Sequence, residues 1–390
     1  MNELTKEESN LKFEKIQNIL RKKDSDACII TSSVNQYWLC GFIFDGYLYI
    51  TADRDPILFV KRPSDLDDER IIYIRKPEQI PGLLQEARLP LPKRILIEAD
   101  QLTLNAANRM QAALNMPELL NISDKIRKIR SVKSEYELNQ MRECAKIHSE
   151  VYQLIPALYR KGMSDLQLQI EIEREMRLRG SVGIFRSFGE NMDIFMGSIL
   201  AGDNAQAASP YDYALGGEGI TPLLPLGANG TPLKPGTTVM VDMAGNYRPY
   251  MDDMTRTFAI EHAPDIAYKA HEVSIEIHNA VKKQAKAGTL CSDIYSLAEE
   301  IVISNELQPY FMGTVQQAKF IGHGVGLEIN EPPVITPRSK DTLLSGMTIA
   351  LEPKFVLPGI GAVGIENTYI VHDEELENIT QCEEKIIVLK

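Results

Sequence analysis

Four carboxylates and one imidazole in the second half of the chain have the residue types and spacing to hold metal ions. Asp242 closes the apolar run VMVD, and Asp253 opens the next, DDMTRTFAI, with GNYRPY between them. A turn centred between Tyr247 and Arg248 would set these two residues directly opposite each other, with Cβ atoms about 5 Å apart. Glu352 and Glu366 stand in the same relation in TIALEPKFVLPGIGAVGIENTYIV if the turn is centred on Gly359. A bulge at any of the nearby glycines would break either register. Bare carboxylates on apolar strands lose hydration with nothing in return, and divalent cations would compensate them. His323, in FIGHGVGLEINEPP, adds an imidazole between glycines that let the backbone approach closely. Oxygen-rich ligation with one imidazole suits Mn, Co, Fe or Zn, and two ions about 3.5–4 Å apart are a standard hydrolytic device. Taken singly, each acid reads as a rim charge on a strand and His323 as a structural histidine; the chemistry lies in the set.

These residues must be carried by a folded scaffold, and the composition supplies one. The 390 residues are 44% hydrophobic and 25% charged, enough for two or three domains with real cores. A net charge of −12 excludes a phosphate-neutralising surface as the natural expectation, so neither nucleic acid nor membrane is expected as partner. The charged start MNELTKEESNLKF has no apolar signal core, and no run approaches the roughly 18 apolar residues of a membrane span, so the expected location is cytoplasmic. Five scattered cysteines, with no CxxC pair, read as buried thiols.

The first third alternates helix and strand signals: a helix over 6–22, short strands at ACIIT and RILIEAD, two strands around the Ala52–Pro56 turn, and a helix at LNAANRMQAAL. This predicts an α/β domain over 1–128. The basic stretch KIRKIRSVKS marks the boundary, and an α+β domain follows over 129–390. Capping boxes at Ser134–Glu137 and Ser164–Gln167 open its first helices. Another helix follows Pro264, with Ile266, Ala270, Val273, Ile277 and Val281 on one face, ending at Gly288. TTVMVDMAG, MTRTFAI, TIALEPKFVL and AVGIENTYIVH read as strands, and Ala214–Pro235 as a long functional or mobile loop.

VDMAGNYRPYMDDMTRTF, GHGVGLEINEPP, GMTIALEP and GIENTYIV, in this order and spacing, resemble the pita-bread metallopeptidases, in particular the prolidase and aminopeptidase P branch of Xaa-Pro peptidases. VNQYWLCGF and RILIEADQLT resemble the creatinase-type N-terminal domain, so the likeness covers nearly the whole chain. It implies two divalent ions, with Mn or Co the expected metals. Asp242 would chelate one ion, Asp253 and Glu366 would bridge, and His323 and Glu352 would hold the other. A bridging hydroxide would attack an amide carbonyl, with Glu352 also moving protons. The likeness further implies a homodimer acting on a small peptide or small amide.

The substrate-facing residues depart from the family. Its second histidine, seven residues after the first, is Asn330 here; its upstream histidine falls at Tyr211 or Asp212; its arginine two residues before the last glutamate is Gly364. Asn330 and Tyr211 could still donate hydrogen bonds to an oxyanion, so both are candidate catalytic residues beside Glu352. The reading is therefore a binuclear hydrolase of Xaa-Pro type with an atypical substrate. The alternatives are a small-molecule C–N or C–S cleaving enzyme of the same fold and a catalytically silent scaffold. His148 reads as a buried or interface histidine, and Trp38 as a core residue of the N-terminal domain.

Overall fold

The computed structural model describes residues 4–189, 196–211 and 213–390, and the chain forms two compact units, Met1–Arg130 and Ser131–Lys390. In the first, the helix Lys6–Lys23 starts where Thr5 accepts a hydrogen bond from the Glu8 N–H, and it buries Phe13, Ile16 and Leu20. Its partner is a six-stranded mixed sheet with Ala27–Ile30 near the centre, antiparallel to Asp45–Ile50 on one side and parallel to Arg94–Ile97 on the other. Ala27–Ile30 is buried along its whole length, as a strand covered on both faces should be. Trp38 is buried, with the Lys12 ammonium 5.7 Å from its ring centre.

The second unit carries the metal-ligand candidates. Both expected capping boxes form, opening the helices Glu135–Tyr152 and Asp165–Leu178. The helix Asp265–Gln284 buries Ala270, Val273, Ile277 and Val281, and it ends short of Gly288, with Ala285 as the first extended residue. A four-stranded sheet orders Ile387–Leu389, Asp252–Ile260, Thr238–Gly245 and Gly197–Ala201. A five-stranded sheet orders Glu331–Val334, Gly322–Gly324, Thr348–Leu351, Asn367–Val371 and Leu376–Asn378.

The two hairpins differ from expectation in different ways. Around the first turn, Asp242 pairs with Thr255, and Asp253 with Ala244. The register is thus two residues off the expected one, and the two aspartates are diagonal neighbours on one face, not directly opposed. The turn is longer because its residues bond elsewhere: the Met251 N–H donates to Gly326 O at 2.9 Å, and the Asn246 side chain engages Ile184 and Ser181. Gly245 is required at its base, since a Cβ there would meet the Asp252 carboxylate and the His148 ring.

The second hairpin keeps the expected register. Leu351 pairs with Asn367 in the five-stranded sheet and Lys354 with Gly364 in a separate two-stranded one, so Glu352 and Glu366 face each other between the two ladders. Each expected continuous strand is broken at its glutamate. Pro353 follows Glu352 and has no N–H to donate. Glu366 instead bridges to the other sheet, its N–H donating to Thr255 O at 3.1 Å.

Candidate metal centre

Elements from two sheets converge on one acidic cluster. Asp242 and Asp253 come from the long hairpin, His323 from Gly322–Gly324, and Glu352 and Glu366 from the two breaks just described. Ligand atoms of Asp253, His323 and Glu366 lie within 4.8 Å of one another, and those of Asp242, Glu352 and Glu366 do likewise. His323 Nε2 is 3.5 Å from Glu352 Oε1 and 3.9 Å from Asp253 Oδ2, while its Nδ1 is 3.1 Å from Gly324 O. Asp242 and His323 are the partly exposed members; Asp253, Glu352 and Glu366 are buried.

Threonines hold Asp253 and Glu366 in place. Asp253 N–H donates to Thr368 Oγ1 at 2.9 Å, and that hydroxyl donates back to Asp253 O at 2.8 Å. Thr255 Oγ1 donates to Glu366 Oε2 at 2.7 Å, whereas Glu366 Oε1 is buried with no partner among the described residues. The helix Asp265–Gln284 buttresses the Glu352–Glu366 pair from behind: Ser274 donates to Pro353 O and accepts from Ile365 N–H, and His278 contacts Ile365 O.

Burial pushes the Asp253 carboxyl well above the usual carboxylate range, and the neighbouring Glu366, Asp242 and Glu352 charges push it further. Burial raises Glu366 as well, against the opposing pull of Lys354. Such mutual repulsion is what a bound cation would relieve, and an imidazole among carboxylates is a donor set for divalent transition ions. The Asp253–His323–Glu366 group fits an ion on this ground.

Lys354 joins the cluster from outside the five spaced ligand candidates. Wholly buried, its ammonium donates to Glu352 Oε2 at 2.7 Å, Asp242 Oδ2 at 2.8 Å and Glu366 Oε2 at 3.2 Å. A signal was present: a lysine two residues after Glu352, in a hairpin otherwise apolar, points to the same face as that acid. Its cross-strand partner is Gly364, the position where the resemblance has an arginine, and a Cβ on Gly364 would crowd Pro353 O and the Lys354 backbone. A lysine thus stands across the ladder from the position where the resemblance has an arginine.

The remaining expected site residues lie as follows. Asn330 clamps a neighbouring segment: its Oδ1 accepts from Phe188 N–H at 2.7 Å and its Nδ2 donates to Phe188 O at 2.6 Å. Tyr211 is half-buried, its ring 5.9 Å from that of Tyr213. Asp212 lies outside the described residues. His148 is wholly buried, with Nδ1 2.9 Å from Asp252 Oδ2. Residues 214–235 form a long loop without regular helix or strand.

Residues 139–373 match metallopeptidase family M24, and residues 12–132 match the creatinase/prolidase N-terminal domain. The chain belongs to metallopeptidase family M24, and joins a creatinase-type N-terminal domain to a pita-bread C-terminal domain. It is 24% identical over 387 residues to an uncharacterized peptidase of Staphylococcus epidermidis, covering 95% of this chain and 99% of that one. Its fold is similar to that of an Xaa-Pro dipeptidase from Bacillus anthracis, with TM-score 0.80, 22% identity and coverage of 98% and 100% of the two chains. An X-Pro aminopeptidase from Thermotoga maritima superposes with TM-score 0.79 at 20% identity, covering 94% and 98%. A metallopeptidase-type hydrolase is what this family membership defines.

Proposed function

We propose that the protein hydrolyses an amide bond in a small substrate of Xaa-Pro type, using divalent metal held at the acidic cluster, with Mn or Co the fitting ions. The observation that carries this reading is the convergence of Asp253, His323 and Glu366, from three separate segments, within 4.8 Å of one another. A divalent ion there would polarise the scissile carbonyl and activate water. Glu352 faces His323 with one oxygen and Lys354 with the other, which sets it to move a proton from the nucleophile to the leaving nitrogen. Asp253 and Glu366 are kept rigid by Thr368 and Thr255, so little reorganisation is needed when charge develops.

The substrate-facing side supports an atypical substrate. Where family peptidases have a histidine, the Asn330 amide is paired with the Phe188 backbone. A small amide that is not a proline dipeptide is therefore the second reading. The family resemblance adds a homodimer, which sedimentation would test. Protein loaded with Mn²⁺ or Co²⁺ should be screened on Xaa-Pro dipeptides, longer peptides and small amides. We expect cleavage before proline that is slow beside that of prolidases and is abolished by chelation. Turnover that survives complete metal removal would overturn the proposal.

A further inference from the structure

The Lys354 ammonium occupies one of the two positions in the acidic cluster that could hold a cation. Its nitrogen lies 2.7–3.2 Å from Asp242, Glu352 and Glu366, one oxygen from each. An ammonium carries three or fewer donors to partners when its fourth substituent is the side chain, and here three carboxylate oxygens meet them. The same three residues form one of the two potential cation clusters, with ligand atoms all within 4.8 Å. A divalent ion bound to those oxygens would sit about 2.0–2.2 Å from each. Three oxygens so close together leave room for one cation between them, and Lys354 is that cation.

The other cluster is open. Lys354 and Thr255 both engage Glu366 through Oε2, leaving Oε1 buried and unpartnered among the described residues. Asp253 and His323 complete that cluster, and no contact of Lys354 with either is among the ion pairs described. We infer that this chain takes a single divalent ion, at Asp253, His323 and Glu366, and that Lys354 is a built-in replacement for the second ion, neutralising Asp242 and Glu352. The inference rests on the proposed metallohydrolase reading and narrows it to a mononuclear site. It also gives the departure at Gly364 a counterpart, since the lysine lies directly across the ladder from it.

The test is a metal count on the full chain. Protein stripped with chelator, reloaded with Mn²⁺ and desalted should carry one ion per chain by elemental analysis, and its electron paramagnetic resonance should show the resolved hyperfine pattern of an isolated ion. Lys354→Gly and Lys354→Met should each carry two, with the broadened spectrum of a coupled pair. As apoproteins both variants should melt lower than the wild type, because three buried carboxylates lose their counter-charge, and metal should restore them. Two ions in the wild type would overturn the inference while leaving the hydrolase reading intact; Lys354 would then orient ligands from behind. One ion in both wild type and variants would also overturn it, since removing the lysine would have opened no position. No ion in any form would overturn inference and hydrolase reading together. Should neither variant fold, the wild-type count and spectrum decide alone.

Discussion

At the scale of single residues, the cluster separates ligand, proton-carrier and positioning roles that one substitution each can distinguish. Glu366 is shared by both cation positions, so Glu366→Ala should strip most bound metal and lower the melting temperature, as elemental analysis and calorimetry would show. Retention of full metal content would mean Asp253 and His323 suffice. Glu352→Gln keeps an oxygen for Lys354 but removes the base, and turnover should fall by about 10² or more with metal retained. Unchanged turnover would route the proton elsewhere. Asn330 was a candidate oxyanion donor, yet its amide spans the Phe188 backbone at both ends. Asn330→Ala should therefore cost about 2 kcal/mol of stability, for two hydrogen bonds, and change kcat less than tenfold. A kcat loss of 10² or more with metal intact would put its amide on the reacting oxygen.

At the scale of elements, the helix Asp265–Gln284 does more than its apolar stripe announces. His271, Ser274 and His278 form a polar line along it, and each meets the backbone around Glu352 or Glu366. Both histidines use one nitrogen as donor and one as acceptor. His271 Nε2 donates to Glu384 O while Nδ1 accepts from Gly364 N–H, and His278 Nε2 donates to Ile365 O while Nδ1 accepts from the Tyr369 hydroxyl. Each ring is thus held neutral, and burial, the main cause, lowers His271 to about 4 and His278 to about 3. The folded chain then binds fewer protons than the unfolded one below the ordinary histidine value of about 6.5. Stability should be unaffected by these groups above that pH and should fall as pH drops through it. The loss is about 2 kcal/mol per histidine by pH 5. Urea midpoints of wild type and His278→Gln, compared from pH 7.5 to 5, isolate the effect: the variant starts lower but falls less steeply. Parallel curves would refute it. This polar line was invisible to a reading of apolar periodicity, because three polar residues at helical spacing look like a solvated face until the hairpin is known to lie against them. The Glu352–Glu366 register was legible, since turn and alternation agree around Gly359. That of Asp242 and Asp253 was not, because the turn residues bond to Gly326, Ile184 and Ser181, which are far away in sequence. All five ligand candidates lie in the motifs, whereas Lys354 belongs to none, and only its spacing of two from Glu352 marks it in the sequence.

At the scale of the whole molecule, the two units divide the work unequally. Among the described residues every ligand candidate lies in Ser131–Lys390, on or next to strands of both of its larger sheets, and the Met1–Arg130 unit contributes none. Its own buried carboxylate, Glu98, is committed to structure, accepting from the Thr31 and Ser32 N–H groups and the Asn35 amide. No helix among the described residues is long and apolar enough to cross a membrane. Metal should therefore act as a staple within one unit, tying the Asp252–Ile260 strand, and through its pairing the Thr238–Gly245 strand, to Gly322–Gly324 and to the Glu352–Glu366 hairpin. An ion that binds only the folded form stabilises it by about 2.7 kcal/mol at a free concentration 100 times its Kd, equivalent to about 100-fold slower opening of the strands it joins. Hydrogen exchange with and without Mn²⁺ should accordingly slow at residues 238–260, 322–324 and 348–371, by up to that factor, and leave the sheet around Ala27–Ile30 unchanged. Exchange that slows elsewhere but not in these strands would place the ion away from the cluster, and the roles assigned to Asp253, His323 and Glu366 would fall with it.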